Sequence, residues 1–558
     1  MNKEVLVSKA TKKNWKRLNV DSTELQKRLS KRANKRFSKK TFIPIEYFSN
    51  SKNLEILEEI LNYSKDIKTT IYSLGINLLC ANNLLNSDNP YITEILNEFH
   101  KGEPDERLLK INLPSEEKDF LGIVYQSLLS EGTKNQKGSY YTPQKIINDI
   151  DFNPKSDMKF LDPCCGTGSF LLFAADKIKN PQNIFGCDLD NTACFIAKIN
   201  LIIKYKNIKF RPNILNCDFL LADNIKDKFD IIGTNPPWGA VTNAKYKLKF
   251  PQIKSGETYS YFLYKAEKYL KNNGEMFFVL PESIMNVKLH ADIREFILKT
   301  FEISKIIISG RAFSGVLSNT VTLSLIKKQN KNNNIIIKKD DKILNIKQKF
   351  YLNNINCNFS VLDNKDANII EKIYSLPHKK LDKNSIWAIG IVTGNNSKYI
   401  SENSFGGEKI YSGKNITYEG ISDTNKYINY QRKNFQQTAP DEIYRAKEKL
   451  VYKFISRKPV FAYDEKQRLF LNSANILIPK LKGYTIKEVM AFLNSELFEY
   501  IYLKKFNEIK ILKGNLMELP FPKAFENTNK ITNENIFEIF NLTPDEINHI
   551  KSELLRYN

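Results

Sequence analysis

The sequence predicts an α/β protein in which a doubly wound, Rossmann-like sheet lies between a helical N-terminal extension and an α+β C-terminal domain. Three observations carry that expectation. Between about residues 138 and 328, short apolar runs that stop on polar or turn residues alternate with segments of helical period. Residues 53–130 show helical spacing, and 558 residues exceed what a single core usually serves. The expected domains are therefore 1–130, 131–330 and 343–558.

The elements follow in order. Residues 1–40 hold fourteen Lys or Arg against Glu4, Asp21 and Glu24, and "QKRLSKRANKRFSKK" (26–40) suits either a solvated helix or an arm on phosphates. "LEILEEILNYSKDI" and "KDFLGIVYQSLL" repeat apolar residues at helical intervals. Strands are then expected in "MKFLDP", "NIFGCD", "KFRPNILNCDF", "FDIIGTNPP" and "GEMFFVLP", with helices in "SFLLFAADKIKN", "NTACFIAKINLIIKYK" and "YSYFLYKAEKYLKNNG". The charged, Asn-rich stretch 326–342 reads as a linker. Beyond it come short strands, turns such as "SGKN" (412–415) and a helical core stripe in "AFLNSELFEYIY".

Composition narrows the class. No apolar run, "FFVL" (277–280) among them, is long enough to span a bilayer, and the first residues lack a signal-peptide pattern, so a cytoplasmic protein free of membrane is expected. The seven cysteines form no CxxC pair, and only four His are present, which argues against both zinc and a disulfide framework; no metal is expected. A net charge of +23 points to a polyanion, and nucleic acid leads, placing the protein at the nucleoid when bound to DNA.

The chemistry concentrates in three places. "KFLDPCCGTGSFLLFAA" (159–175) is a strand, a turn with Gly166 and Gly168, and a helix start; glycines there let the backbone approach a ligand. Asp188 in "FGCDLD" lies twenty residues past Gly168, where an acidic side chain meets ribose hydroxyls. The turn lacks both the third small residue of a dinucleotide site and the lysine of a P-loop. It suits a nucleoside without pyrophosphate, which points to S-adenosyl-L-methionine. Asp218 in "NCDFL" could accept from an adenine amino group, and turn formation explains the same residue equally well.

"DIIGTNPPWG" (230–239) supplies a receiving site for a planar amine. An exocyclic amino group on a base is a poor nucleophile because its lone pair is delocalised. The side-chain oxygen of Asn235 and the carbonyl of Pro236 can accept both N–H bonds and favour a localised lone pair. Pro236 and Pro237 fix the backbone that aims these acceptors, and an exposed Trp238 would stack on the base.

With these residues in place, the chain resembles the gamma-class adenine-N6 DNA methyltransferases of bacterial restriction-modification systems. The resemblance rests on "KGSYYTP" (137–143), "LDPCCGTGSF", "GCDLD", "NCDF" and "NPPW" occurring in the family's order. It implies that Tyr141, Thr142 and Pro143 line the methionine end of the cofactor, with Asp162 and Gly166 beneath it. Asp188 would take the ribose and Asp218 the cofactor adenine. Asn235, Pro236, Pro237 and Trp238 would hold an adenine flipped out of double-stranded DNA. The C-terminal region would be the target-recognition domain, with Arg457 and Lys458 as contacts to phosphate or guanine, or simply as solvated surface. A cognate endonuclease encoded separately is the implied partner. The family's second base-covering aromatic has no clear counterpart in "LPESIMNVKLH" (280–290), which offers Ile284 or Met285; Phe313 is a further possibility.

Rival readings are a nuclease fused to the methylase, a protein glutamine N5-methyltransferase, a cytosine-N4 enzyme and a DNA-binding subunit with an inactive core. The first would use Asp105, Glu116 and Lys118 of "PDERLLKINLPSEEK" (104–118) as a PD…ExK pattern. It requires a sheet before residue 130, where the sequence reads as helix.

Overall fold

The computed structural model describes residues 53–114, 116–130, 133, 142–151, 154–223, 225–239, 244–313, 318–328, 333–404, 406–506, 510–523 and 531–557. The basic segment 26–40 and Tyr141 lie outside the described residues. Contacts divide the chain between Phe359 and Ser360 into two compact units.

The first unit is built on a nine-stranded sheet. Its strands are β1 (Phe160–Asp162), β2 (Ile184–Asp188), β3 (Asn213–Asn216), β4 (Phe229–Thr234), β5 (Leu270–Pro281), β6 (Glu302–Gly310), β7 (Thr320–Ile326), β8 (Asn334–Lys339) and β9 (Lys342–Lys347). They lie in the order β3-β2-β1-β4-β5-β7-β6-β8-β9. The first five run parallel to one another, and β7 is antiparallel between β5 and β6. Strand order reverses at β1, which pairs with β2 on one side and β4 on the other. In such sheets the crevice beyond the carboxyl ends at this reversal is where ligands bind.

Helices cover the sheet because their apolar stripes have nowhere else to go. Among the described residues, α1 (Asn53–Tyr63), α2 (Ile67–Ala81), α3 (Pro90–Phe99) and α4 (Phe120–Leu128) precede the first strand. Then follow α5 (Ser169–Ala175), α6 (Asn191–Lys204) and α7 (Thr258–Glu267). Helix α6 is apolar on two sides and joins two cores. Phe195, Ile196 and Ile199 pack with the N-terminal helices, where the Phe99 and Phe195 rings stack at 3.9 Å. Cys194, Ala197 and Leu201 pack with Phe160, Phe170 and Ile231 over the sheet. The helical extension thus shares a core with the sheet's own helix.

Two expectations change. Residues 326–342 are not wholly a linker, since 334–347 form the β8–β9 hairpin at the sheet edge. Ile335 and Ile337 are fully buried while Asn334 and Ile336 are exposed, the two-residue period of a strand with one wet face. The segment's charge and Asn content mask that alternation. Likewise the helix read through 259–274 stops at Glu267, and β5 begins at Leu270. Asn273, at φ +59°, and a bulge against β4 reset the chain there.

The second unit is α+β. One four-stranded sheet orders Ser385–Ile389, Ala474–Pro479, Lys449–Lys453 and Phe461–Asp464; a second orders Ile400–Ser401, Tyr427–Ile428, Glu408–Tyr411 and Leu469–Phe470. Its helix Glu496–Phe506 is buried along almost its whole length, as the core-stripe reading expects. Two buried ion clusters fix its register. Lys449 meets Asp464 at 2.8 Å with both side chains fully buried, and Arg468 joins them at 2.8 Å. Lys504 bridges Asp366 (2.8 Å) and Glu553 (2.6 Å). Removing one partner from such a pair leaves an uncompensated buried charge, which costs about 3–5 kcal/mol. Among the described residues no helix is long and apolar enough to cross a membrane.

Candidate active site

The site forms where β1, β2 and β4 end. β1 stops at Asp162, whose carboxylate accepts the Thr234 hydroxyl (2.6 Å) and the Cys164 amide (3.1 Å). The last residue of β4 is thereby tied to the last of β1 just before Asn235. The chain then turns through Gly166 (φ +52°) and Gly168 (φ +102°), values in the left-handed region that glycine reaches without strain. A Cβ at Gly168 would stand in van der Waals contact with Ala197 of α6 at 3.4 Å, whereas one at Gly166 would meet no protein atom within 4 Å. Gly168 thus lies against α6, and Gly166 faces open space.

Asp188 closes the turn from the other side. One carboxylate oxygen accepts the Gly166 amide and the other the Asp190 amide, each at 2.8 Å. Beneath the turn, buried Asp119 accepts from the Gly122 amide (3.0 Å), the Thr167 hydroxyl (2.6 Å) and the Asn200 amide group (2.7 Å). It caps α4 while anchoring both the glycine turn and α6.

A cleft opens over this turn, lined by Tyr125, Gln126, Thr142, Asp162, Gly166 and Asn235, among others. Four residues singled out in the sequence therefore share one cavity, although they come from segments far apart in the chain. Thr142 is buried, and its Oγ1 accepts from Asn235 Nδ2 at 3.1 Å. Pro143 follows it and starts the helix Gln144–Asn148. With the nitrogen of the Asn235 side chain engaged, its oxygen is left to accept. Tyr125 and Gln126 are not singled out by the sequence reading. The available signal is Gln126, a polar side chain inside the apolar stripe of α4 and buried there.

The electrostatics are those of carboxylates taken out of water. Burial, with the neighbouring Asp188 charge adding to it, pushes Asp162 up to about 7. Burial likewise raises Asp188. Burial also pushes the Cys164 and Cys165 thiols well up. All seven cysteines are free.

Asp218 lies past the end of β3. Its carboxylate accepts the Leu220 amide (2.9 Å), the turn role open in the sequence, and also the Tyr246 hydroxyl (2.8 Å). Trp238 is half-buried rather than exposed. Its indole N–H donates to the Val279 carbonyl at 3.3 Å, and Phe313 meets it edge-on at 5.2 Å and 79°. Neighbours from distant segments, out of reach of sequence periodicity, account for the difference. Ile284 and Met285 are buried in the core, so Phe313 is the aromatic beside Trp238.

The PD…ExK residues have structural partners. Asp105 caps a short helix and pairs with Arg107, Glu116 accepts from Asn53, and Lys118 pairs with Asp176. Among the described residues from 53 to 129 there is no strand to carry such a site.

A doubly wound sheet with acidic strand ends, a glycine turn and an Asn-Pro-Pro-Trp turn at its order reversal has the architecture of a nucleoside-cofactor methyltransferase. Comparison with known proteins sharpens this class. The family model for N-6 DNA methylases matches residues 116–399, about half the chain, and that for the TaqI-like C-terminal specificity domain matches residues 408–521. The chain belongs to the N-6 DNA methylase family. It is 33% identical over 311 residues to the type II methyltransferase M.VspI of Vibrio sp. (strain 343), covering 54% of this chain and 76% of that protein. It is 27% identical over 192 residues to the type I restriction enzyme EcoEI methylase subunit of Escherichia coli, covering 31% of this chain and 38% of that one. Among solved structures, the type IIL restriction-modification enzyme MmeI in complex with DNA aligns over 92% of this chain and 88% of its own, with a TM-score of 0.56. At 14% identity that likeness concerns the fold.

Proposed function

We propose that this chain transfers a methyl group from S-adenosyl-L-methionine to N6 of an adenine turned out of duplex DNA, at a short sequence read by its C-terminal specificity domain. A separately encoded endonuclease would cut the same sequence when it is unmodified. The observation that carries the reading is the meeting of Asn235 and Thr142 on the cleft that opens over Gly166 and Asp162.

The residues present fit the cofactor. Gly166 presents bare backbone to open space, where any side chain would intrude. Asp188 holds that turn in place and offers an acidic group to ribose hydroxyls. When bound, the cofactor supplies an electrophilic methyl on a sulfonium. Asp218 accepts from the amino group of the cofactor's base while Tyr246 steadies its carboxylate.

The protein's own groups prepare the acceptor. The Asn235 side-chain oxygen and the Pro236 carbonyl take the two N–H bonds of the target amine, drawing its lone pair out of the ring and toward the methyl donor. Thr142 keeps the Asn235 amide from rotating, and the two prolines hold the turn, so the acceptors need no reorganisation as charge develops. Trp238, braced by Val279 and Phe313, offers a face on which the base stacks.

Single-molecule sequencing of plasmid DNA from cells expressing the protein tests the proposal. N6-methyladenine at one short motif is expected. Unmodified DNA from folded protein that still binds S-adenosyl-L-methionine would refute the DNA substrate.

A further inference from the structure

One helix connects the two loops on which the proposed reaction depends. At the start of α7, the Thr258 hydroxyl and amide both donate to the Gly239 carbonyl, at 2.9 and 3.2 Å, and so fix the residue that follows Trp238. At its end, Lys265 points toward the loop that begins with Asp218. This lysine is 3% exposed, an unusual position for a cation. Its ammonium donates to the Leu220 carbonyl (3.3 Å) and to the Ala222 carbonyl, and it meets Asp223 at 3.4 Å. It also lies over the Phe219 ring, 5.2 Å from the centroid. From the end of the preceding helix, Ala244–Lys249, Lys249 donates to the Leu221 carbonyl (3.0 Å) and to Asp223 (2.9 Å).

Three consecutive carbonyls, 220 to 222, are therefore all directed at cations. The reason lies in the loop itself. The Leu221 and Ala222 amides both donate back to the Asp218 carbonyl, making a single turn that no helix continues. Such a turn leaves its last carbonyls without amide partners, and cations satisfy them. A bare surface turn would leave them to water. Here a lysine is drawn out of solvent to hold them, a cost with no return unless the turn's position matters.

We propose that Lys265, with Lys249, is a positioning residue for cofactor binding: it fixes the 218–222 turn so that the Asp218 carboxylate faces the amino group of the cofactor's base, in register with the turn that Thr258 fixes at Gly239. The inference rests on the proposed role of Asp218.

The test measures S-adenosyl-L-methionine affinity by calorimetry, and turnover at saturating cofactor, on the full chain and four variants: Asp218→Ala, Lys265→Met, Lys249→Met and the Asp218→Ala/Lys265→Met double. Lys265→Met is expected to weaken cofactor binding about tenfold, the scale of one charge-assisted hydrogen bond, while turnover at saturation changes less than about twofold. Lys249→Met, on an accessible surface, should weaken binding about threefold in the same way. In the Asp218→Ala background the Lys265 change should add little, because both act through one carboxylate. Additive losses, or unchanged affinity in Lys265→Met while Asp218→Ala weakens binding, would overturn the positioning role and leave Asp218 in place. Unchanged affinity in Asp218→Ala would instead remove the role of Asp218 itself. Should Lys265→Met not fold, Lys249→Met carries the test, and cofactor affinity equal to that of the unaltered chain overturns the clamp.

Discussion

Thr142 and Asn235 are 93 residues apart in sequence, and the Asn235 amide donates to the Thr142 hydroxyl at 3.1 Å. That bond decides which end of the amide is free. Asn235→Ala should retain cofactor affinity while turnover falls by two or more orders of magnitude, the scale seen when a preorganised polar group is removed from a reacting centre. Thr142→Val keeps the shape but lets the amide rotate, and a loss of about tenfold in turnover is expected. Single-turnover kinetics on methylatable duplex separates both from binding.

The proposed role of Asp188 is on the cofactor side. Its two oxygens already hold the Gly166 and Asp190 amides, so Asp188→Ala loosens the turn as well as removing the acidic group. Calorimetry should show cofactor binding weakened by at least about tenfold. Unchanged affinity would remove the ribose assignment.

Trp238→Ala removes the stacking face and the indole bond to Val279 but leaves Asn235 and the Pro236 carbonyl in place. Stacking worth ~1–3 kcal/mol predicts a fall in kcat/KM of roughly ten- to a hundredfold, with cofactor affinity retained. Steady-state assays over a range of DNA concentrations check it.

The buried Asp162 gives the cofactor-free protein a pH signature. Its pKa is raised from 3.8 to about 7 in the folded state, so the fold binds the proton more tightly than the unfolded chain does. The stability this contributes is fully present below pH 3.8 and is lost as pH rises through 7. Asp162→Asn, which keeps an acceptor for Thr234, should flatten the decline in stability between those values. Urea titrations across that range, on both proteins, provide the measurement.

Gly122 lies against the Asp119 hub. A Cβ there would come within 2.3 Å of Asp119 Oδ2 and 2.5 Å of Thr167 Oγ1. Gly122→Ala must displace a carboxylate that holds three groups, and a loss of about 3 kcal/mol is expected. Thermal unfolding would show it as a lowered Tm, and an unchanged Tm would show that the hub can shift freely.

The strand ends are legible in the sequence because apolar runs stop on polar residues: Asp162 after "FL", Asp188 after "IFGC", Asn235 after "DIIGT". The glycine turn was legible too, since Gly166 and Gly168 take backbone angles that few other residues accept. The edge hairpin was not, because on a strand with one wet face Lys and Asn sit as comfortably as in a loop. The exposure expected of Trp238 fails for a similar reason: nothing near it in sequence reveals Phe313 or Val279 as neighbours.

The acidic strand ends, the glycine turn, the Asn-Pro-Pro-Trp turn and the basic excess, with their order, belong to the linear chain. These are set by residue type and by local backbone preference, which neighbouring positions express directly. Which of them meet is a matter of tertiary packing. Thr142 reaching Asn235, Asp119 gathering Gly122, Thr167 and Asn200, and Lys265 holding the Asp218 turn all depend on separate segments burying their apolar faces together. Polar pairs brought into that dry interior are then fixed by the cost of leaving either partner unpaired.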